Sequence, residues 1–351
     1  MCNSGIIANF QNLLNLPPNI TPVTLYEGDT PLIQVKGIAE EMGGGFELYI
    51  KYEGMNPTGS FKDRGMTAAI SVAAAQGAKA VICASTGNTA ASAAAYASRA
   101  GMRSIVIIPE GKVAAGKLAG AIAYGADVIQ IKGSFDHALD MVLELSHRLP
   151  VALVNSINPY RLEGQKTAAF EICDSLYGAP DWLCLPVGNA GNITAYWMGF
   201  KQYHQVFGTC LPRMLGVQAA GAAPLVQGQP IAHPDTVATA IRIGKPARGE
   251  QALEAAEESH GKIIAVEDDE ILAMQRLLAR YGIWVEPASA AGLAGLYREL
   301  KTHRSEFVGK RIVVVCTGHG LKDPEIVMQQ NNRLRIMAAD YSMLEEELWR
   351  A

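Results

Sequence analysis

Short runs of apolar, often β-branched residues alternate with segments of helical length and period along most of this chain, and no other feature restricts its fold as strongly. Phe46 to Lys51, Ala80 to Ala84, Ser104 to Pro109, Asp127 to Ile131, Val151 to Val154, Trp182 to Pro186, Met214 to Val217, Ile263 to Val266 and Arg311 to Cys316 read as strands. Asn88 to Ala100, Phe135 to Arg148, Glu163 to Tyr177 and Asp268 to Tyr281 read as helices between them. A strand that returns through a helix to the next strand gives an α/β fold of mainly parallel sheets covered on both faces. With 351 residues and roughly 150 residues per domain, two domains with a cleft between them are expected. The expected division is 1–150, with its early strands partly packed on the other half, then 151–327, then an appended helical tail at 328–351. Gln218 to Asp235, interspersed with Gly, Pro and Gln, reads as a long loop.

In such sheets ligands bind beyond the carboxyl ends of strands, where the next helix begins. Two stretches of that kind carry no charge over 19 residues, Ala80 to Ser98 and Trp182 to Phe200. That length would span a bilayer core of about 30 Å, but both stretches hold Gly and Asn beside Ser or Thr, and mean hydropathy is only +0.10. A membrane is therefore rejected, and a ligand bound by neutral hydrogen-bonding groups is expected in its place. Only 18% of residues are charged and the net charge is −4, so there is no general basic field for nucleic acid. The amino terminus lacks a basic region followed by an apolar one, so a cytoplasmic location is expected. The cysteines, at 2, 83, 173, 184, 210 and 316, form no C-x-x-C pair and no cluster with the seven histidines, so reduced thiols and no structural metal are expected.

Four short segments can carry chemistry. Asn56-Pro57-Thr58-Gly59-Ser60-Phe61-Lys62-Asp63-Arg64-Gly65 is a polar turn entering a helix. A lysine near a helix start and beside Arg64 would have its ammonium form disfavoured, which favours a nucleophilic amine. The ordinary alternative is a solvated lysine with Asp63 and Arg64 as charged surface. Gly188-Asn189-Ala190-Gly191-Asn192 precedes a helix at Ile193 to Tyr203; glycines let backbone N–H groups approach an anion at the positive end of the helix. It matches neither the dinucleotide nor the Walker pattern. Ser85-Thr86-Gly87-Asn88-Thr89 offers hydroxyls and an amide suited to a carboxylate, or plain helix capping. In Cys316-Thr317-Gly318-His319-Gly320, Thr317 offers a hydroxyl to a ligand, while a turn with a satisfied His319 is the alternative.

Together, in order and spacing, these segments resemble the threonine synthases, within the fold-type II family of pyridoxal-phosphate enzymes, which includes the tryptophan synthase β-like proteins. The similarity extends from Leu25-Tyr26-Glu27-Gly28-Asp29-Thr30-Pro31-Leu32 to Thr317-Gly318-His319-Gly320-Leu321-Lys322-Asp323-Pro324. The resemblance implies two open, twisted sheets, with pyridoxal 5'-phosphate held by Lys62 as a Schiff base in the cleft between the domains. It implies that Asn88 bonds the ring oxygen, that Gly188, Asn189, Ala190, Gly191 and Asn192 cradle the cofactor phosphate, and that Thr317 faces the ring nitrogen. A hydroxyl there cannot stabilise a charged ring as a carboxylate would, which leaves more proton work to Lys62.

The implied substrate is O-phospho-L-homoserine, converted to L-threonine and phosphate by γ-elimination and β-addition of water. Ser85, Thr86 and Thr89 are expected at its carboxylate. A second anion pocket is expected at Asn155, Ser156 and Arg161, where an arginine fork meets neutral donors; Lys112 and Lys117 are weaker candidates, and a salt bridge of Arg161 with Glu163 is the alternative. A homodimer is implied as well. Plant members carry an amino-terminal extension for an S-adenosylmethionine activator, and activity without that effector is expected here. The rivals are a threonine or serine dehydratase of the same fold, against which Gly188-Asn189-Ala190-Gly191-Asn192 in place of a run of four glycines and Thr317 with His319 in place of a Ser or Cys partner speak, and a cofactor-free regulatory scaffold, against which the intact Lys62 speaks.

Overall fold

The computed structural model describes residues 3–111, 115–133, 135–330 and 336–348. Its strands are β1 (Leu32–Gln34), β2 (Glu47–Tyr52), β3 (Ala80–Ala84), β4 (Arg103–Pro109), β5 (Asp127–Ile131), β6 (Val151–Leu153), β7 (Trp182–Pro186), β8 (Arg213–Ala219), β9 (Lys262–Val266) and β10 (Arg311–Cys316). They form a six-stranded sheet in the order β1-β2-β10-β7-β8-β9 and a four-stranded sheet in the order β5-β4-β3-β6. Every pairing is parallel except β1 with β2. The chain is thus α/β with two mainly parallel sheets covered by helices.

Side-chain alternation explains how one apolar run serves two layers. Along β10, Ile312 and Val314 join Ile50, Trp182 and Leu293 on one face, while Val313 and Val315 join Leu183, Ile193 and Phe200 on the other. In the small sheet Val81, Cys83 and Val106 pack on Ala90, Ala93 and Ala94, and Ile82 and Ile107 pack on Ala138 and Val142. The alanines let the Asn88–Arg99 helix lie close to β3. β5 buries none of its five residues fully, as suits an edge.

β2 lies in the large sheet although it precedes the whole small sheet in sequence, with Ile50 opposite Val314. β6 pairs with β3, so the small sheet continues past residue 150 to Leu153. The segment expected as one helix from Glu163 to Tyr177 is two, Pro159–Gln165 and Thr167–Leu176. The first starts early because Asn158 caps it by accepting from Tyr160 N, and Pro159 fits its first position. It lies against the Lys62–Ala75 helix so closely that a Cβ on Gly164 would stand 1.8 Å from Arg64 O. Within the expected loop, β8 extends to Ala219 and helical turns follow at Ala220–Ala222 and Pro224–Gln227. The described part of the tail holds the Tyr341–Leu348 helix, which buries no residue. No helix among the described residues is long and apolar enough to cross a membrane.

Candidate active site

Lys62 is the first residue of the Lys62–Ala75 helix, whose start has no side-chain cap. The loop before it is stitched to the turn after β10: Phe61 N donates to Thr317 O at 3.0 Å, and His319 N donates to Gly59 O at 2.9 Å. Asp63 accepts from Thr58 N at 2.7 Å, Thr58 Oγ1 at 2.6 Å and Ser92 Oγ at 2.5 Å, which ties this helix to the Asn88–Arg99 helix. The amine of Lys62 is therefore held by backbone fixed on two sides. Burial, and then the Arg161 guanidinium, push its pKa down to about 7, against a smaller opposing pull from Glu286.

The neighbour expected to act on Lys62 was Arg64, and here the structure differs. Arg64 is 1% exposed and points into a charge-balanced cluster with Glu53 and Glu171. Asp63 is buried too, so neither residue forms a charged surface. The cation that depresses Lys62 is Arg161, brought in by the Pro159–Gln165 helix.

Asn88 opens its helix, and its Nδ2 donates to Glu286 Oε1 at 2.9 Å and Oε2 at 3.2 Å. Glu286 is buried, and burial is the main cause that raises its carboxyl to about 7. Sequence reasoning missed it, although a carboxylate between Ile283-Trp284-Val285 and Pro287-Ala288 is out of place in an apolar stretch. Ser289 was missed as well: its Oγ lies 2.9 Å from Thr317 Oγ1 and accepts from Gly318 N at 2.8 Å. Thr317 is thus paired with a second neutral hydroxyl, and among the described residues no carboxylate is bonded to it. Nδ1 of His319 accepts from Leu321 N at 3.1 Å, which occupies one nitrogen of that ring.

Ser85, Thr86, Gly87, Asn88 and Thr89 are all half-buried. The Asn88–Arg99 helix has no side-chain cap, so these groups are not used up by capping. The Gly191–Phe207 helix likewise starts uncapped, from Ala190 in the left-handed conformation at φ 64°. It takes in Gly191 and Asn192, which were expected to precede it. Gly188 meets Ile241 Cα at 3.0 Å from an added Cβ, whereas around Gly191 such an atom would meet nothing within 4 Å. Nδ2 of Asn192 is buried without a partner. An uncapped helix start, open space at Gly191 and an orphaned amide form a cradle that a phosphate would satisfy.

At the expected second anion pocket, Asn155 turns its amide to the backbone: Oδ1 accepts from Ala84 N and Nδ2 donates to Ala84 O, both at 3.0 Å. It positions the end of β3, and Ser156 beside it is half-buried. Arg161 is 1% exposed; its Nη1 donates to Val154 O at 3.3 Å and its Nε is buried without a partner. The alternative pairing with Glu163 is not formed, because Glu163 Oε2 accepts from Lys166 Nζ at 2.5 Å and Asn15 N at 2.7 Å. Lys112, the side chain of Lys117 and Cys2 lie outside the described residues. The other five cysteines are unpaired, four of them buried, and among the described residues no His, Cys, Asp and Glu group suits a metal.

A softened amine, a neutral hydroxyl pair and a phosphate cradle fit pyridoxal phosphate: Lys62 can attach it, residues 188–192 can hold its phosphate, and Asn88 and Thr317 can face its ring. The comparisons agree with that fit. The family model described as pyridoxal-phosphate dependent enzyme matches residues 23–318. The threonine synthase of Synechocystis sp. is 59% identical over 93% of this chain and 85% of its own length, and that of Mycobacterium tuberculosis is 53% identical over 98% and 96%. Maize serine racemase has the same fold, with a TM-score of 0.75 at 21% identity over 98% of this chain and 99% of its own. The processed threonine deaminase isoform 2 of Solanum lycopersicum superposes with a TM-score of 0.72 at 22% identity, over 86% and 87%. The chain belongs to the pyridoxal-phosphate-dependent enzymes, and within them to the threonine synthases.

Proposed function

We propose that the chain acts as a threonine synthase, a carbon–oxygen lyase that converts O-phospho-L-homoserine and water to L-threonine and phosphate. The observation that carries the choice of substrate is Arg161: among the described residues this buried guanidinium has no carboxylate partner and its charge reaches the Lys62 amine, so with the substrate carboxylate taken by Ser85, Thr86 and Thr89 it calls for a second anion, which threonine and serine do not possess. A dehydratase has no use for it.

When bound, pyridoxal phosphate withdraws electrons from the amino-acid carbons next to it. The chain's own residues divide the remaining work. Lys62, with an amine softened to about 7, both takes and returns protons near neutral pH, at Cα and Cβ of the substrate. Ser85, Thr86 and Thr89 hold the substrate carboxylate. Arg161, with Ser156, holds the phosphate group as its bond to Cγ breaks; Asn155 keeps the adjoining strand end in place. Water then supplies the hydroxyl at Cβ while Cγ becomes the methyl group, which balances the reaction. Glu286 orients Asn88. The cleft lies between a domain of 1–150, whose β1 and β2 pair in the large sheet, and a domain of 151–327, whose β6 pairs in the small one, and the enzyme works as a cytoplasmic homodimer.

Purified protein should show the visible absorbance of bound cofactor and release equal amounts of threonine and phosphate from O-phospho-L-homoserine. Lys62→Ala should lose both the turnover and the wild-type absorbance. Keto-acid formation from threonine, without phosphate release from the phosphorylated substrate, would overturn the assignment in favour of a dehydratase.

A further inference from the structure

Arg248 comes just before the Gly249–Glu258 helix, which packs on the large sheet. Ser156 and Ile157 follow β6 of the small sheet. Arg248 joins the two: its Nε donates to Ser156 O at 3.3 Å and its Nη2 to Ile157 O at 3.2 Å. Arg161 grips the same stretch through Val154 O. Two guanidinium groups therefore hold one turn of four residues, Val154 to Ile157, by its carbonyl groups. The residue before Arg248 reaches the phosphate loop as well, since Ala247 N donates to Asn189 Oδ1 at 3.4 Å.

Among the described residues neither guanidinium has a carboxylate within ion-pair distance. Carbonyl oxygens satisfy some of their N–H groups but supply no negative charge. Arg161 is held down to about 10, first by burial, with repulsion from Arg248 contributing. Two cations that repel each other, one of them buried with Nε unpaired, form a site that is charge-balanced only when an anion carrying about two negative charges enters it. The Arg161 charge reaches the Lys62 amine and helps to lower its pKa.

We propose that Arg248 completes with Arg161 a two-arginine subsite, spanning both sheets, for the phosphate group of the substrate, and that it determines specificity for a phosphorylated amino acid. This rests on the phosphorylated substrate proposed above. Arg248 acts in two ways, as the second positive charge and as the anchor of the turn that carries Ser156.

The test uses the cofactor-loaded enzyme with inorganic phosphate as the probe, followed by calorimetry, alongside steady-state kinetics. Arg248→Met should weaken phosphate binding about tenfold or more, since hydrogen bonds to charged groups carry roughly 1.5–3 kcal/mol. It should raise KM for O-phospho-L-homoserine by a similar factor, leave the cofactor absorbance in place, and flatten the salt dependence of phosphate binding. Arg248→Lys should restore part of the affinity, and Arg248→Gln provides a second neutral variant should the Met chain fold poorly. Phosphate affinity and its salt dependence equal to wild type in the neutral variants, in an enzyme that turns over, would overturn this inference alone. An equal loss of affinity for phosphate and for uncharged-side-chain L-threonine would overturn it too, because Arg248 would then only position the turn. A wild-type enzyme that neither binds phosphate nor releases it from the substrate would overturn the substrate assignment itself.

Discussion

Lys62 and Arg64 stand two residues apart at the start of one helix and meet opposite surroundings. Arg64 donates to Glu53 at 2.7 and 2.8 Å and to Glu171 at 2.6 Å through two nitrogens, and Lys51 donates to Glu171 at 2.7 Å. Two cations face two carboxylates, with Thr30 and Thr167 filling the remaining positions. The carboxyl groups of Glu53 and Glu171 are held below the usual range by those cations despite their burial. Lys62 instead feels Arg161, which in turn feels Arg248, and among the described residues no carboxylate is bonded to any of the three. Arg161 is as buried as Arg64, each 1% exposed, so burial does not mark function. The count of counter-charges does: a balanced cluster holds the fold together, and an unbalanced one waits for a ligand.

Removing one partner from each cluster should break them differently. Arg64→Met leaves two buried carboxylates facing one lysine, so a loss of about 3–5 kcal/mol is expected in chemical denaturation of the cofactor-free protein; an unchanged midpoint would show that the network is not balanced as described. Arg161→Met removes a cation with no carboxylate partner among the described residues, so stability should hold while kcat/KM for O-phospho-L-homoserine falls about hundredfold, near 2.7 kcal/mol. A destabilised fold with intact kinetics would reverse its assignment. The smallest effect is expected at Glu286. Its carboxyl titrates at about 7 when folded and 4.5 in its ordinary state, so the folded chain binds the extra proton and stability falls as pH rises between those values. Glu286→Gln should flatten that slope in denaturation midpoints measured from pH 4.5 to 7.5, and an identical slope in both proteins would remove Glu286 as its cause.

The lattice of strands was legible because strands buried on both faces must be runs of Val and Ile, and the uncapped strand-to-helix turns were legible because Gly, Asn, Ser and Thr gather there without charge. What escaped depends on contacts between distant parts of the chain. β1 has three residues, too few to set a period. Glu286 and Ser289 lie in an apolar helix start, and their partners come from elsewhere, Asn88 from the start of another helix and Thr317 from the turn after β10. Arg64 reads as an ordinary surface charge until Glu171, over a hundred residues later, is brought against it. Asn155 looked like a ligand donor, yet its amide completes the end of β3.

The strand order also sets a timetable for synthesis. β3 to β6 are contiguous in sequence and can assemble while the chain is still emerging, whereas β2 pairs along one side with β10, Glu47 opposite Arg311. At roughly 5–20 residues per second, β2 leaves the ribosome on the order of ten to fifty seconds before its neighbour exists. β1 covers one of its edges meanwhile, and the other must stay free of wrong partners. The loop that carries Lys62 is bonded to Thr317 and His319 just beyond β10, so the cofactor site is closed among the last parts of the molecule to be made.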